Sequence, residues 1–304
     1  MKNGAGLSQS PVSNAYVLLT LTTLAWAGNT VAARLAIGEV SSMALVSLRW
    51  FISFALMSVF VRADVGGIWR QLRARPAYFG VMGFIGFTGF NALYYIAAHS
   101  TFAINLGIMQ SATPLFVMVG AAIFHKSRIS PGQVVGLVLG SLGVAAVVSG
   151  GSLTVLQSLS FNRGDLLVLL ASALYAGYSL GLKHRPQDCS GITFFAAMAL
   201  VAAVTSVPLL AWEAASGALQ WPTLRGWQVI AFVAVFPSLL AQIWYIRGVS
   251  IIGAARAGFF FNAIPIFGAI MAVAILGEPF GWHHAAGLAL VLGGIGIAER
   301  YKPG

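Results

Sequence analysis

An all-α membrane protein of ten transmembrane helices, arranged as two inverted five-helix repeats around a central cavity, is the fold class that this sequence predicts, on three observations. The chain of 304 residues is 59% hydrophobic and only 8% charged, with a mean hydropathy of +0.87. Soluble domains carry near a quarter charged residues, so the solvent of this chain is a bilayer. Its apolar residues fall in stretches of roughly 20, the length a helix needs to cross about 30 Å of hydrocarbon. Finally, the chain repeats itself at an offset of about 151 positions.

The repeat is read from particular residues. Ala103-Ile104-Asn105-Leu106-Gly107 and Pro114 return as Ala254-Ala255-Arg256-Ala257-Gly258 and Pro265, and Gly136 and Gly143 as Gly287 and Gly294. With one residue of slippage, Tyr94-Tyr95-Ile96 returns as Trp244-Tyr245-Ile246, and Leu24-Ala25-Trp26-Ala27-Gly28 as Ala173-Leu174-Tyr175-Ala176-Gly177. Five crossings per copy is odd, so the second copy enters the membrane upside down.

In chain order, the spans are predicted near 14–36, 41–61, 76–97, 102–124, 131–149, 165–183, 191–212, 227–248, 253–276 and 283–299. None alternates with period two, which argues against strands. Ala25-Trp26-Ala27 in the first span has the form of a signal-peptidase site. Cleavage there would destroy the match to Leu174-Tyr175-Ala176, so the span is expected to stay. The second span carries Arg49, and the connection after it, 62–75, reads as a basic loop with Asp64 and Gly66-Gly67. Ser130-Pro131 is an N-cap followed by proline at the first helical position, opening the fifth span. Gly136, Gly140 and Gly143 there, and Gly287, Gly293, Gly294 and Gly296 in the tenth, are small faces that let helices approach closely in lipid. The Gly- and Ser-rich join near 150–164 divides the chain into repeats of 1–150 and 151–304. The single cysteine, Cys189, permits no internal disulfide.

The net charge of +10 is explained by where it sits. With the N-terminus inside, the inner loops and ends hold Lys2, Arg62, Arg70, Arg73, Arg75, Lys126, Arg128, Lys183, Arg185, Arg247, Arg300 and Lys302, against Arg163 and Arg225 outside. This bias places both termini in the cytoplasm and assigns the basic balance to topology and anionic headgroups, with no nucleic-acid partner.

Catalysis finds no support. Glu39, Asp64, Asp165, Asp188, Glu213, Glu278 and Glu299 all lie in loops or near span ends, as do His99, His125, His184 and the doublet His283-His284, read as solvated. There is no metal-ligand spacing and no paired nucleophile and base, so no metal, cofactor or enzyme activity is expected.

What lies at depth is a set of amides, hydroxyls and aromatics at corresponding places in the two halves. Trp26 and Asn29 sit in the first span, Tyr175 and Tyr178 in the sixth; Asn91, Tyr94 and Tyr95 in the third, Ser238, Gln242, Trp244 and Tyr245 in the eighth. Gln110 and Pro114 occupy the fourth, Asn262 and Pro265 the ninth. A polar group in hydrocarbon costs several kcal/mol if unpaired, so these face the bundle interior. Each amide alone is as readily helix-to-helix glue as cavity lining; the set, repeated beside aromatics including Phe260, favours a cavity, with both prolines as candidate kinks. Arg49 is the sharpest residue, about eight positions into its span. Snorkelling or a carbonyl partner is the plainer reading, and a fixed charge for a substrate carboxylate the functional one.

Leu24-Ala25-Trp26-Ala27-Gly28-Asn29, Leu48-Arg49, Ala112-Thr113-Pro114, Ala263-Ile264-Pro265 and Gly277-Glu278-Pro279 together resemble the EamA-type drug/metabolite transporter superfamily over essentially the whole chain. The resemblance implies ten helices, cytoplasmic termini and export of amino acids or other small metabolites across a bacterial inner membrane. Within the superfamily the chain is similar to the amino-acid exporters, aromatic amino acid exporters among them. It departs where His125-Lys126-Ser127 stands in the first repeat against Gly277-Glu278 in the second. The expected partners are a small-molecule substrate, aromatic or otherwise neutral, and the lipid bilayer. Lipophilic cations or nucleotide-linked solutes are the alternative within transport, and a membrane sensor or scaffold the rival outside it. With no titratable group at mid-membrane, transport is expected to follow the solute's own gradient.

Overall fold

The computed structural model describes residues 11–60, 65–126, 130–152, 154, 162–252 and 259–301. The apolar segments fold as helices: α1 (Pro11–Leu35), α2 (Ser42–Phe60), α3 (Pro76–Ala98), α4 (Ala103–Phe124), α5 (Pro131–Val148), α6 (Arg163–His184), α7 (Gly191–Ala215), α8 (Leu224–Ile252), α9 (Ile264–Leu276) and α10 (Trp282–Arg300). Among the described residues, α1–α4 and α6–α8 are long and apolar enough to cross a bilayer; α5, α9 and α10 contain shorter apolar runs. The expected start of the ninth span, 253–258 with Arg256, lies outside the described residues, as do Arg62 and Asp64. No strand occurs among the described residues.

The connection 62–75, read as a loop, contains a helix, Val65–Ala74. Its Gly67, Ile68 and Gln71 are buried while Trp69, Arg70 and Arg73 are exposed, so an amphipathic stripe folds it in spite of two glycines.

The sequence repeat is a structural one. Both α3 and α8 widen into π-helix at matching places, Phe84–Gly89 and Ala234–Leu240. Both α4 and α9 begin a new helical stretch, at Thr113 and Ile264, with proline in its first turn. Pro114 and Pro265 thus open the second part of a broken helix, where a missing N–H is no loss, instead of kinking a continuous one. Both stretches end in a left-handed residue, Gly277 at φ 66° and its counterpart Lys126 at φ 52°. Lys126 is the non-glycine residue in that region among those described, held there by the geometry its glycine counterpart adopts freely.

The packing of α5 on α10 gives the relative direction of the copies. A Cβ on Gly136 would lie 2.4 Å from the carbonyl oxygen of Gly294, and one on Gly294 would lie 2.6 Å from that of Gly136. Gly143 and Gly287 oppose each other likewise, at 2.8 and 3.0 Å. Gly136 repeats as Gly287 and Gly143 as Gly294, so each glycine meets the copy of the other. Helices that pair this way are antiparallel and related by a two-fold axis, and the repeats are therefore inverted. Gly143→Leu is expected to lower stability by about 3 kcal/mol through overpacking, read as the thermal unfolding midpoint in detergent. Gly293→Leu, where a Cβ would meet nothing within 4 Å, should leave the midpoint unchanged.

Candidate functional site

The π segment of α8 begins the site. Pro237 has no N–H to give the helix ladder, so local carbonyls turn to side chains. Val233 O accepts from the Ser238 hydroxyl at 2.6 Å, Ala234 O from Ser53 of α2 at 3.1 Å, and Pro237 O from Trp26 Nε1 of α1 at 3.0 Å. In the matching α3 segment, Phe87 O accepts from Asn91 Nδ2 at 2.6 Å. Gly86 there leaves room for Tyr178, whose ring a Cβ would meet at 2.5 Å.

These irregular stretches surround Arg49, which is 5% exposed. Its Nε donates to Ser238 Oγ at 2.6 Å. Its Nη1 lies 2.5 Å from Tyr95 OH, 2.8 Å from Asn91 Oδ1 and 3.2 Å from Asn29 Oδ1. Tyr95 OH in turn donates to Asn29 Oδ1 at 2.9 Å, and the Trp50 ring stacks under the guanidinium at 5.1 Å. Three helices, α1, α3 and α8, thus converge on the cation of α2 through neutral oxygens, and no carboxylate pairs with it among the described residues. Nη2 makes no hydrogen bond among the described residues and is not one of the sealed, partnerless atoms. A buried cation balanced only by dipoles keeps most of its attraction for an anion.

Call the ends of the bundle near, where α1 begins, and far, where α1 ends. Asn29, Arg49, Asn91, Tyr94, Tyr95 and Ser238 are all buried. One turn or two towards the near end, Trp26, Gln110, Tyr175, Tyr178, Gln242 and Tyr245 are half-buried, and they form aromatic walls. Trp26 stacks on Phe261 at 5.0 Å and meets Tyr245 at 5.6 Å; Tyr175 meets Tyr178 at 5.4 Å and Phe90 at 5.2 Å.

Other residues proposed from sequence are placed elsewhere. The Tyr94 hydroxyl is sealed in the core without a partner. Trp244 lines an apolar groove of about 550 Å³ between α1, α8 and α9, with Leu24, Gly28, Phe232 and Met271. Asn262 lies in the turn Phe259–Ala263, its side chain outside the described residues, and the Phe260 ring meets that of Tyr16 at 5.8 Å, tilted by 45°. Pro114 is exposed and Pro265 buried.

Sequence reading missed the closure of the far end. Glu213, at the end of α7, accepts from the N–H groups of Met43 and Ala44, both at 3.1 Å, and from the Ser41 hydroxyl at 2.5 Å. Glu278 accepts from the N–H groups of Ala103 and Ile104, at 2.9 and 3.1 Å, and lies 3.6 Å from Arg34 Nε. Asp165 accepts from the Thr101 hydroxyl. All three carboxylates belong to the second repeat, and those of Glu213 and Glu278 rest on the positive N-termini of the first-repeat helices α2 and α4. Beside them, burial and then Arg34 hold the His99 imidazole below its usual pKa, so it is neutral at pH 7. His284, read as solvated, is buried and accepts from Gly281 N–H at 3.0 Å, which closes the start of α10. At the near end the repeats are joined by Gln71 Nε2 donating to Asp188 Oδ2 at 2.8 Å and Tyr78 OH donating to Gly181 O at 3.2 Å; no carboxylate caps a helix there among the described residues.

The fold is that of a solved crystal structure with a TM-score of 0.64, 20% identical and covering 95% of this chain and 98% of that one. An uncharacterized transporter of Bacillus subtilis, YyaM, is 26% identical over 93% of this chain and 92% of its own length. An uncharacterized transporter of Archaeoglobus fulgidus is 27% identical over 94% of this chain and 99% of its own. A riboflavin transporter of Brucella anthropi is 26% identical over 43% of this chain and 44% of its own. The EamA-like transporter family matches residues 13–149 and again 162–299, each repeat in turn, and the chain, a multi-pass membrane transporter, belongs to it.

Proposed function

We propose that the chain is a bacterial inner-membrane carrier, termini in the cytoplasm, that exports neutral amino acids, aromatic ones foremost, by alternating access between its repeats, 1–150 and 151–304. The near end is then cytoplasmic. The carrying observation is the gradient of burial along the site: a cation balanced only by neutral oxygens lies buried at the far side of half-buried aromatic walls. A solute entering from the cytoplasm meets Trp26, Tyr175, Tyr178 and Tyr245 with its side chain and the Arg49 Nη2 edge with its carboxylate, and Gln110 and Gln242 flank the path. Ring stacking and a charge-assisted hydrogen bond supply the recognition. The carboxylate clasps at Glu213 and Glu278 hold the periplasmic side shut in this state and must open for release.

Because the buried carboxylates sit on helix N-termini away from the walls, transport runs as uniport or exchange, down the solute's own gradient. Phenylalanine flux into proteoliposomes should be unaffected by an imposed pH gradient at fixed membrane potential. Accumulation driven by the pH gradient alone would overturn this reading and assign the proton to Asp165 or Glu278. A second reading, a flavin-sized aromatic solute, is favoured by the partial match to a riboflavin transporter. Riboflavin therefore belongs in the same assay.

A further inference from the structure

The amphipathic helix Val65–Ala74 has no part in the solute path. It lies between two spans, a few residues after Phe60 and directly before Pro76, so its tethers keep it in the headgroup layer. Trp69, 52% exposed, Arg70 and Arg73 share its outer face and, with Gly66, line an open hollow of about 590 Å³. Neither arginine has a hydrogen-bond or ion-pair partner among the described residues, and Arg75 adds a third exposed cation next to them. The opposite face is occupied: Gln71 is buried and donates to Asp188, in the α6–α7 connection of the other repeat.

We propose that this hollow is a binding site for the phosphate headgroup of an anionic phospholipid in the adjoining leaflet. Two guanidinium groups supply bidentate donors for a phosphodiester. The indole ring sits where tryptophan anchors a protein at the interface. The charge complementarity is one-sided, with cations and no acidic residue in a helix, Val65–Ala74, confined to the headgroup plane, which fits lipid and not a soluble partner. Through Gln71 and Asp188, the lipid-holding element also ties the repeats together at this end. The leaflet is cytoplasmic if the proposed orientation is right; lipid binding itself is read without flux and fails or stands apart from the carrier reading.

The test uses purified full-length protein in nanodiscs, with tryptophan fluorescence quenched by brominated phosphatidylglycerol or brominated phosphatidylcholine. The wild type should be quenched preferentially by the anionic lipid. Arg70→Gln with Arg73→Gln should reduce that preference roughly thirtyfold, two surface cations being lost. Trp69→Phe should remove the preferential component of the signal, and Arg70→Lys with Arg73→Lys should retain most of the preference. Equal quenching by both lipids, or a preference that survives the double glutamine variant while the fold is intact by circular dichroism, overturns the proposal. So does reversal of the preference by millimolar inorganic phosphate, which would make the hollow a site for free anions.

Discussion

Arg49→Met is expected to leave a folded protein that transports far more slowly. The long apolar side chain replaces the volume of the arginine, so little cavity forms. The cation it removes is one whose burial is offset only by neutral oxygens, and replacing buried charges by well-packed hydrophobes is often close to neutral. Tyr95 OH still has Asn29 Oδ1, and the Ser238 hydroxyl still has Val233 O. Asn91 Oδ1 loses its donor, so a cost of about 1–3 kcal/mol is expected. Flux of an aromatic amino acid should fall by about ten- to a hundredfold, the worth of a charge-assisted hydrogen bond to its carboxylate. Unfolding midpoint and flux per folded molecule, measured side by side, separate the roles. Unchanged flux from a destabilised protein would make Arg49 a structural hub only.

The second large effect is expected at the far end, where Glu213→Gln combined with Glu278→Gln should bias the carrier towards opening there. Each carboxylate accepts from two N–H groups at a helix start, and an amide offers one oxygen and an NH₂ that repels the other donor. Helix caps are worth about 1 kcal/mol each. Losing two would shift the equilibrium by about 2 kcal/mol, some thirtyfold. The readout is labelling by a membrane-impermeant maleimide at a cysteine replacing buried Ser172, with Cys189→Ser as background. Faster labelling from the α4 N-terminal side is expected; unchanged labelling in the double variant would show that the clasps do not gate.

The fold was legible because bilayer constraints write themselves into composition. Span length, the absence of period two and the 151-residue offset gave ten helices and two copies. The glycines at 136, 143, 287 and 294, read as repeat markers and small faces, turn out to meet in crossed pairs, the contact that makes the inversion explicit. Arg49 was also found, because a charge at that depth has no bland neighbour in sequence. Its partners were named as separate cavity residues, and only the fold shows that Asn29, Asn91, Tyr95 and Ser238 close on one guanidinium. The carboxylate clasps escaped because Glu213 and Glu278 lie hundreds of atoms along the chain from the N-termini they cap; a glutamate just past a span end reads as solvated until the facing helix start is known. Gly277-Glu278-Pro279, with no acidic counterpart after Lys126, was the available hint. The helix at 65–74 was hidden by Gly66-Gly67, whose low propensity is overridden by packing of Gly67, Ile68 and Gln71.

The central claim is that a solute with an aromatic side chain and a carboxylate is recognised between the aromatic walls and Arg49. Its most direct test is exchange flux in proteoliposomes preloaded with phenylalanine, comparing external phenylalanine with phenylalaninamide, which keeps the ring and amine but lacks the negative charge. Exchange with phenylalanine at least about tenfold faster than with the amide, and loss of that difference in Arg49→Met, is the result predicted. Equal exchange of the two, or no exchange of any amino acid while riboflavin or a lipophilic cation is carried, would contradict it.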